Sequence, residues 1–83
     1  MKLDIRYFAW LRERVGTASE TVETDAATVA ALIAELSARD EGYALAFSDT
    51  GGIRAAIDHD LVDMDAPLAG AKEVAFFPPM TGG

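Results

Sequence analysis

TVAALIAELSARD, residues 28–40, places Val29, Leu32, Ile33 and Leu36 at i, i+3, i+4 and i+7. That spacing lines one face of an α-helix with apolar side chains. Asp25 or Thr28 can cap its start by accepting a backbone N–H. Arg39, near its end, complements the helix dipole. This is the one full helix the chain predicts, so the fold depends on what the flanking segments offer it to pack against.

On the N-terminal side, KLDIRYF (2–8) alternates, with Leu3, Ile5 and Tyr7 on one face and Lys2, Asp4, Arg6 and Phe8 on the other. Period two predicts a half-buried strand. AWLRERVG (9–16) predicts a short helical turn ended by Gly16. ASETVET (18–24), rich in Thr and Glu, predicts a weak strand at or near an edge. On the C-terminal side, GYALAF (42–47) predicts a short helical or irregular piece carrying aromatic core residues. DTGG (49–52) predicts a turn, IRAAID (53–58) a strand, and HDLVDM (59–64) a tight turn into a short extended piece. APLAGAK (66–72) is a loop punctuated by Pro67 and Gly70. KEVAFF (72–77) is the last strand, ended by Pro78 and Pro79, which have no N–H to donate. Five strand candidates and one full helix predict an α+β fold, a mixed sheet of about five strands packed on one main helix.

At 83 residues, half of them hydrophobic, the chain is expected to form a single domain over 1–83 with one modest core. A domain of this size has little room for an enclosed catalytic cleft, which favours a module that works with a partner. Fourteen acidic against seven basic residues give a formal charge of −7. That argues against a nucleic acid or an anionic membrane as partner. The chain has no cysteine, which rules out a disulfide framework and a thiolate metal site. Lys2, Asp4 and Arg6 interrupt the N-terminus where a signal peptide needs an apolar run, and a cytoplasmic location is expected.

The sequence ends FFPPMTGG, Phe76 to Gly83. Pro78 and Pro79 hold the chain extended as it leaves the last strand. Thr81 is small, and Gly82 and Gly83 have no Cβ, so another protein's backbone can approach them closely. Residues 78–83 therefore suit a flexible tail threading a narrow channel, with the terminal carboxylate of Gly83 as its one reactive group. A carboxylate resists attack until it becomes a better acyl donor, such as a mixed anhydride with AMP. The plain alternative is a frayed terminus.

The end PLAGAKEVAFFPPMTGG and the start YFAWLRERVG resemble the family of molybdopterin synthase small subunits. The resemblance covers the whole chain and is most specific at Phe-Phe-Pro-Pro-x-Thr-Gly-Gly. It implies a ubiquitin-like β-grasp fold, in agreement with the element order. It further implies that an ATP-dependent activating enzyme adenylates the Gly83 carboxylate and that a sulfur-donating sulfurtransferase then leaves a thiocarboxylate there. The tail would enter the large catalytic subunit of the synthase and give its sulfur to a cyclic pterin precursor. The chain itself would bind no cofactor and no metal. Two turns depart from the family pattern: AGAKEV stands where a Gly flanked by Asp is usual, and IDHD where an Asn is common.

The same resemblance makes the first and last strands neighbours, so Phe8 and Phe77 are expected to share an exposed apolar patch, joined by Leu61 if Val62 points inward. Such a patch, with Pro78 and Pro79 beside it, is expected to bind a partner. The alternative is rim packing. Asp49-Thr50-Gly51 matches the Asp-Thr-Gly of aspartic proteases, but Ser48 and Gly52 dilute the apolar strands expected around it, and an Asp-Gly turn accounts for it. Asp58-His59-Asp60 carries ligand-type side chains, yet neighbours on a strand point to opposite faces, and a solvated turn is expected. The acidic residues from Glu20 to Asp25 read as solvated surface. Two other functions fit a Gly-Gly end. One is a sulfur carrier for thiamin or tRNA thiolation. The other is a non-catalytic ubiquitin-like binding module.

Overall fold

The computed structural model describes residues 1–48 and 52–79. The expected turn at Asp49, Thr50 and Gly51, and the tail residues Thr81, Gly82 and Gly83, lie outside the described residues. The elements are β1 (Lys2–Tyr7), α1 (Trp10–Val15), β2 (Ser19–Glu23), α2 (Val29–Ser37), α3 (Glu41–Ala46), β3 (Arg54–Ile57), β4 (Asp60–Val62) and β5 (Glu73–Phe77). The five strands form one sheet in the order β2-β1-β5-β3-β4. β1 and β5 run parallel at its centre, and the other pairings are antiparallel. The expected mixed sheet is present, and with the helices on one face it has the ubiquitin-like β-grasp arrangement.

Alternation decides which face each strand buries. Leu3, Ile5, Tyr7, Val22, Ala55, Val74 and Phe76 all point inward and are buried. Against them α2 presents Val29, Leu32, Ile33 and Leu36, the four residues its spacing singled out. Thr28 caps that helix, its side chain accepting from the Ala31 N–H at 3.1 Å. Two more of the N–H groups that a helix start leaves unpaired donate to the loop ahead of β5, Val29 to the Ala66 carbonyl at 3.1 Å and Ala30 to Met64 at 2.8 Å. Tyr7, Phe47 and Phe76 pack ring to ring, with centroids 5.1–6.3 Å apart.

Two expectations change. Arg39 follows the C-cap Ala38 of α2, past its last turn, and its guanidinium donates to Glu20 Oε1 at 2.9 Å. Glu20 is not plain solvated surface. Its Oε2 accepts from the hydroxyls of Tyr7 at 2.8 Å and Tyr43 at 2.7 Å, which ties edge strand β2 to α3. Burial alone would raise the Glu20 carboxyl, but the hydrogen bonds from Tyr43, Tyr7 and Arg39 outweigh it and hold the group below its ordinary value. The Tyr7 hydroxyl is pushed well above its ordinary range, first by burial and then by its bond to Glu20.

α3 is a helix, as one of the two readings of GYALAF had it, and Gly42 lets it approach α1. A Cβ there would stand 2.8 Å from the carbonyl oxygen of Arg14.

Candidate functional site

Parallel pairing sends β1 and β5 out of the sheet at the same end. Tyr7 lies opposite Phe76, and the Phe8 N–H donates to the Phe76 carbonyl at 3.1 Å. β3 starts at this end, with Arg54 opposite Phe77. The tail expected at 78–83 therefore leaves from a central strand, between Phe8 on one side and Arg54 on the other.

On the face away from the helices, the register sets Arg6, Ala75, Ala56 and Leu61 side by side across four strands. The two alanines are small, which leaves a shallow apolar groove lined by Phe8, Ala56, His59, Glu73, Ala75, Phe77 and Pro78. Phe8 is 46% exposed and Leu61 63%, while Phe77, Pro78 and Pro79 are half-buried. Val62 lies opposite the buried Ala55, so Leu61 takes the outer face. The structure thus brings Phe8, Phe77 and Pro78 together. Leu61 is on the same face but one strand beyond the groove.

The far end of the groove is polar. Glu73 sits between the Arg6 guanidinium, with Nε 2.5 Å from Oε1, and the His59 imidazole, with Nε2 3.7 Å from Oε2. The neighbouring pair is Thr21 and Asp4, whose hydroxyl and carboxylate oxygens are 2.7 Å apart.

Asp58 and His59 form the β3–β4 turn at φ 49° and 76°. Asp, Asn and His enter this left-handed region most readily among residues with a Cβ, so Asp58 can serve where the family pattern commonly has Asn. Its carboxylate has a role that spacing did not reveal. Oδ1 accepts from the backbone N–H of Lys72 at 3.1 Å and Glu73 at 2.9 Å, pinning the turn to the start of β5. Among the described residues no three His, Asp or Glu side chains are grouped to hold a metal ion. No described helix is long and apolar enough to cross a membrane.

Comparisons with known proteins follow the same lines. The pattern of the ThiS family matches residues 5–83. The molybdopterin synthase sulfur carrier subunit of Escherichia coli (strain K12) is 44% identical over 81 residues, covering 98% of this chain and 99% of that protein. The solved structure of a putative molybdopterin converting factor subunit 1 from Pyrococcus furiosus is 26% identical, covers 96% of this chain and 99% of its own, and has a TM-score of 0.73. A complex of subunits 1 and 2 of the molybdopterin-converting factor from Helicobacter pylori 26695 contains a chain with the same fold, at a TM-score of 0.66, 22% identity and full coverage of both chains.

Proposed function

This chain belongs to the ThiS family, and on that premise we propose that it is the sulfur-carrier small subunit of a molybdopterin synthase. An activating enzyme adenylates the Gly83 carboxylate with ATP, and a sulfurtransferase replaces AMP with sulfur to leave a thiocarboxylate. The tail then enters the large catalytic subunit, where the sulfur passes to a cyclic pterin precursor. All of this takes place in the cytoplasm, where ATP is supplied.

The observation that carries this reading is the exit of β5. The central strand runs past an apolar groove into Pro78 and Pro79, so a partner that covers Phe8, Phe77 and Leu61 also receives the tail. Six residues from Pro78 to Gly83 span up to about 20 Å when extended. That lets the carbonyl of Gly83 reach a buried site while the folded body stays on the partner's surface. Gly82 and Thr81 keep the tail narrow. The carrier needs no thiol, because the sulfur rides on the backbone terminus.

The test is mass spectrometry of the C-terminal peptide after incubation with activating enzyme, ATP and a sulfur source. The thiocarboxylate adds about 16 Da, as one methionine oxidation would, so a thiocarboxylate-selective reagent is applied to the same peptide. A sulfur at Gly83 that is consumed by large subunit and cyclic pterin precursor is the expected result, and one residue added after Gly83 abolishes it. If no adenylate or thiocarboxylate forms, the chain is a binding module. If sulfur is loaded but not passed to the pterin, it serves another thiolation pathway.

A further inference from the structure

Beside the exit of β5, the outer sheet face carries a cation that forms no ion pair within the fold. Arg54 is exposed and lies opposite Phe77. Its neighbour Ala55 is buried, so alternation turns Arg54 to the outer face that Phe77 shares. The pairing of Ala56 with Leu61 sets Leu61 diagonally across from it on β4. Direct and diagonal neighbours on one sheet face lie within reach of long side chains. Arg54 thus stands between two of the apolar residues a partner would cover, and a surface that covers both covers it too.

Other arginines are occupied. Arg6 holds Glu73, Arg39 holds Glu20, and Arg14 stacks on Trp10 with its guanidinium carbon 4.5 Å from the ring centroid. Arg54 has no such partner among the described residues, although acidic residues outnumber basic ones 14 to seven. The acid nearest to it in register is Asp63, one residue past Val62, and even that side chain makes no bridge to it.

A guanidinium taken out of water with nothing opposite it is costly to bury. A partner that settles on Phe77 and Leu61 therefore has to meet the charge between them. Resting on the docking to the large subunit proposed above, we infer that the large subunit places an aspartate or glutamate carboxylate on Arg54. The planar fork of N–H donors matches a carboxylate with two parallel bonds, and the methylene stem continues the apolar strip. An apolar groove alone tolerates sliding, whereas a directional pair beside β5 fixes the register in which that strand points into the partner. The net charge of −7 favours a basic partner overall. A carboxylate at this one point is a local demand that a mismatched partner does not meet, so Arg54 also determines specificity.

Equilibrium binding and dissociation of the chain with its large subunit test the pair, because its presence and its absence predict opposite signs. With a carboxylate at Arg54, Arg54→Leu leaves that group buried and unpaired. Affinity should then fall at least about 30-fold, chiefly through faster dissociation, even though the substitution adds apolar surface. With no carboxylate there, Arg54→Leu removes an uncompensated charge and binding tightens. Arg54→Gln should weaken binding as well. Asp63→Asn should bind as tightly as wild type or more so, because it removes an acid from beside the partner's carboxylate. The inference is overturned if Arg54→Leu binds as tightly as wild type, or if Asp63→Asn weakens binding as much as Arg54→Leu, which would make Asp63 the group that Arg54 meets. Thermal melts of each variant check that the fold is intact. A large subunit that does not bind the wild-type chain overturns the function proposed above together with this contact, whereas one that binds wild type and Arg54→Leu alike removes only the contact.

Discussion

Two leucines of similar exposure make the docking face testable. Leu61 is 63% exposed on the outer sheet face and Leu45 is 56% exposed on α3, on the helical side. Complete burial of a Leu or Phe side chain is worth about 1.5–3 kcal/mol. Covering the remaining 63% of Leu61 is then worth about 1–2 kcal/mol, and covering the 46% of Phe8 about 0.7–1.4 kcal/mol. Leu61→Ala should weaken binding to the large subunit roughly 5- to 30-fold, Phe8→Ala somewhat less, and the pair together on the order of 100-fold. Leu45→Ala has almost the same transfer energy available and should change the dissociation constant less than about twofold, because its face is not covered. Isothermal titration calorimetry against the large subunit compares the four variants with wild type. Thermal melts check that each fold is intact, since exposed side chains contribute little to the free protein's stability. If Leu45→Ala costs as much as Leu61→Ala, or the Phe8/Leu61 double variant binds within threefold of wild type, the outer face is not where the partner sits.

The remaining predictions concern stability. Gly42→Ala gains about 0.5–1 kcal/mol of helix propensity, but its Cβ meets the Arg14 carbonyl at 2.8 Å, and overpacking of that kind costs about 1–3 kcal/mol. The net loss should lower Tm by roughly 5–10 °C in a scanning calorimeter, and an unchanged or raised Tm would mean that α1 and α3 separate freely. The lowered carboxyl of Glu20 adds stability that is fully present above the unfolded carboxyl's titration and is lost as pH falls through the folded one. Urea melts between about pH 6 and pH 3 should show a stability decline that Glu20→Gln reduces, while at pH 7 that variant is less stable by about 1–3 kcal/mol. Equal pH slopes would show that the network does not couple to folding. Asp58→Ala removes the acceptor of two backbone N–H groups and puts an ordinary side chain at φ 49°. It should cost about 2–3 kcal/mol by chemical denaturation and Asp58→Asn much less, an order that fails if the carboxylate is idle.

The elements were legible because period and punctuation agree in this chain. Leu3, Ile5 and Tyr7 alternate inward, α2 buries the four residues at helical spacing, and Gly16 ends α1 at φ 96°. The apolar patch could be read because alternation assigns Phe8 and Phe77 to the outer face once β1 and β5 are neighbours, and that adjacency came from family resemblance. Glu20 and Asp58 could not be read. Their partners are 13, 14, 15 and 23 residues away in sequence, and a local pattern holds nothing about groups that meet only after the sheet has formed. The partner of Arg39 was hidden for the same reason: near a helix end its charge suggests the dipole, and only the fold supplies Glu20. The proposed reactive end rests on chemistry alone, read from the two glycines and their approach, and lies outside the described residues.

The central position of β5 also makes formation of the sheet wait for a late segment of the chain. It follows the other four described strands in sequence, yet it joins β1 to β3, and Val74 and Phe76 are fully buried. Without it the sheet falls into two hairpins, β1 with β2 and β3 with β4, and isolated hairpins are marginal in water. A nascent chain interrupted anywhere before Phe77 therefore stays unfolded and open to proteolysis. The sheet, and the face that a partner would meet, thus form only once β5 has been made.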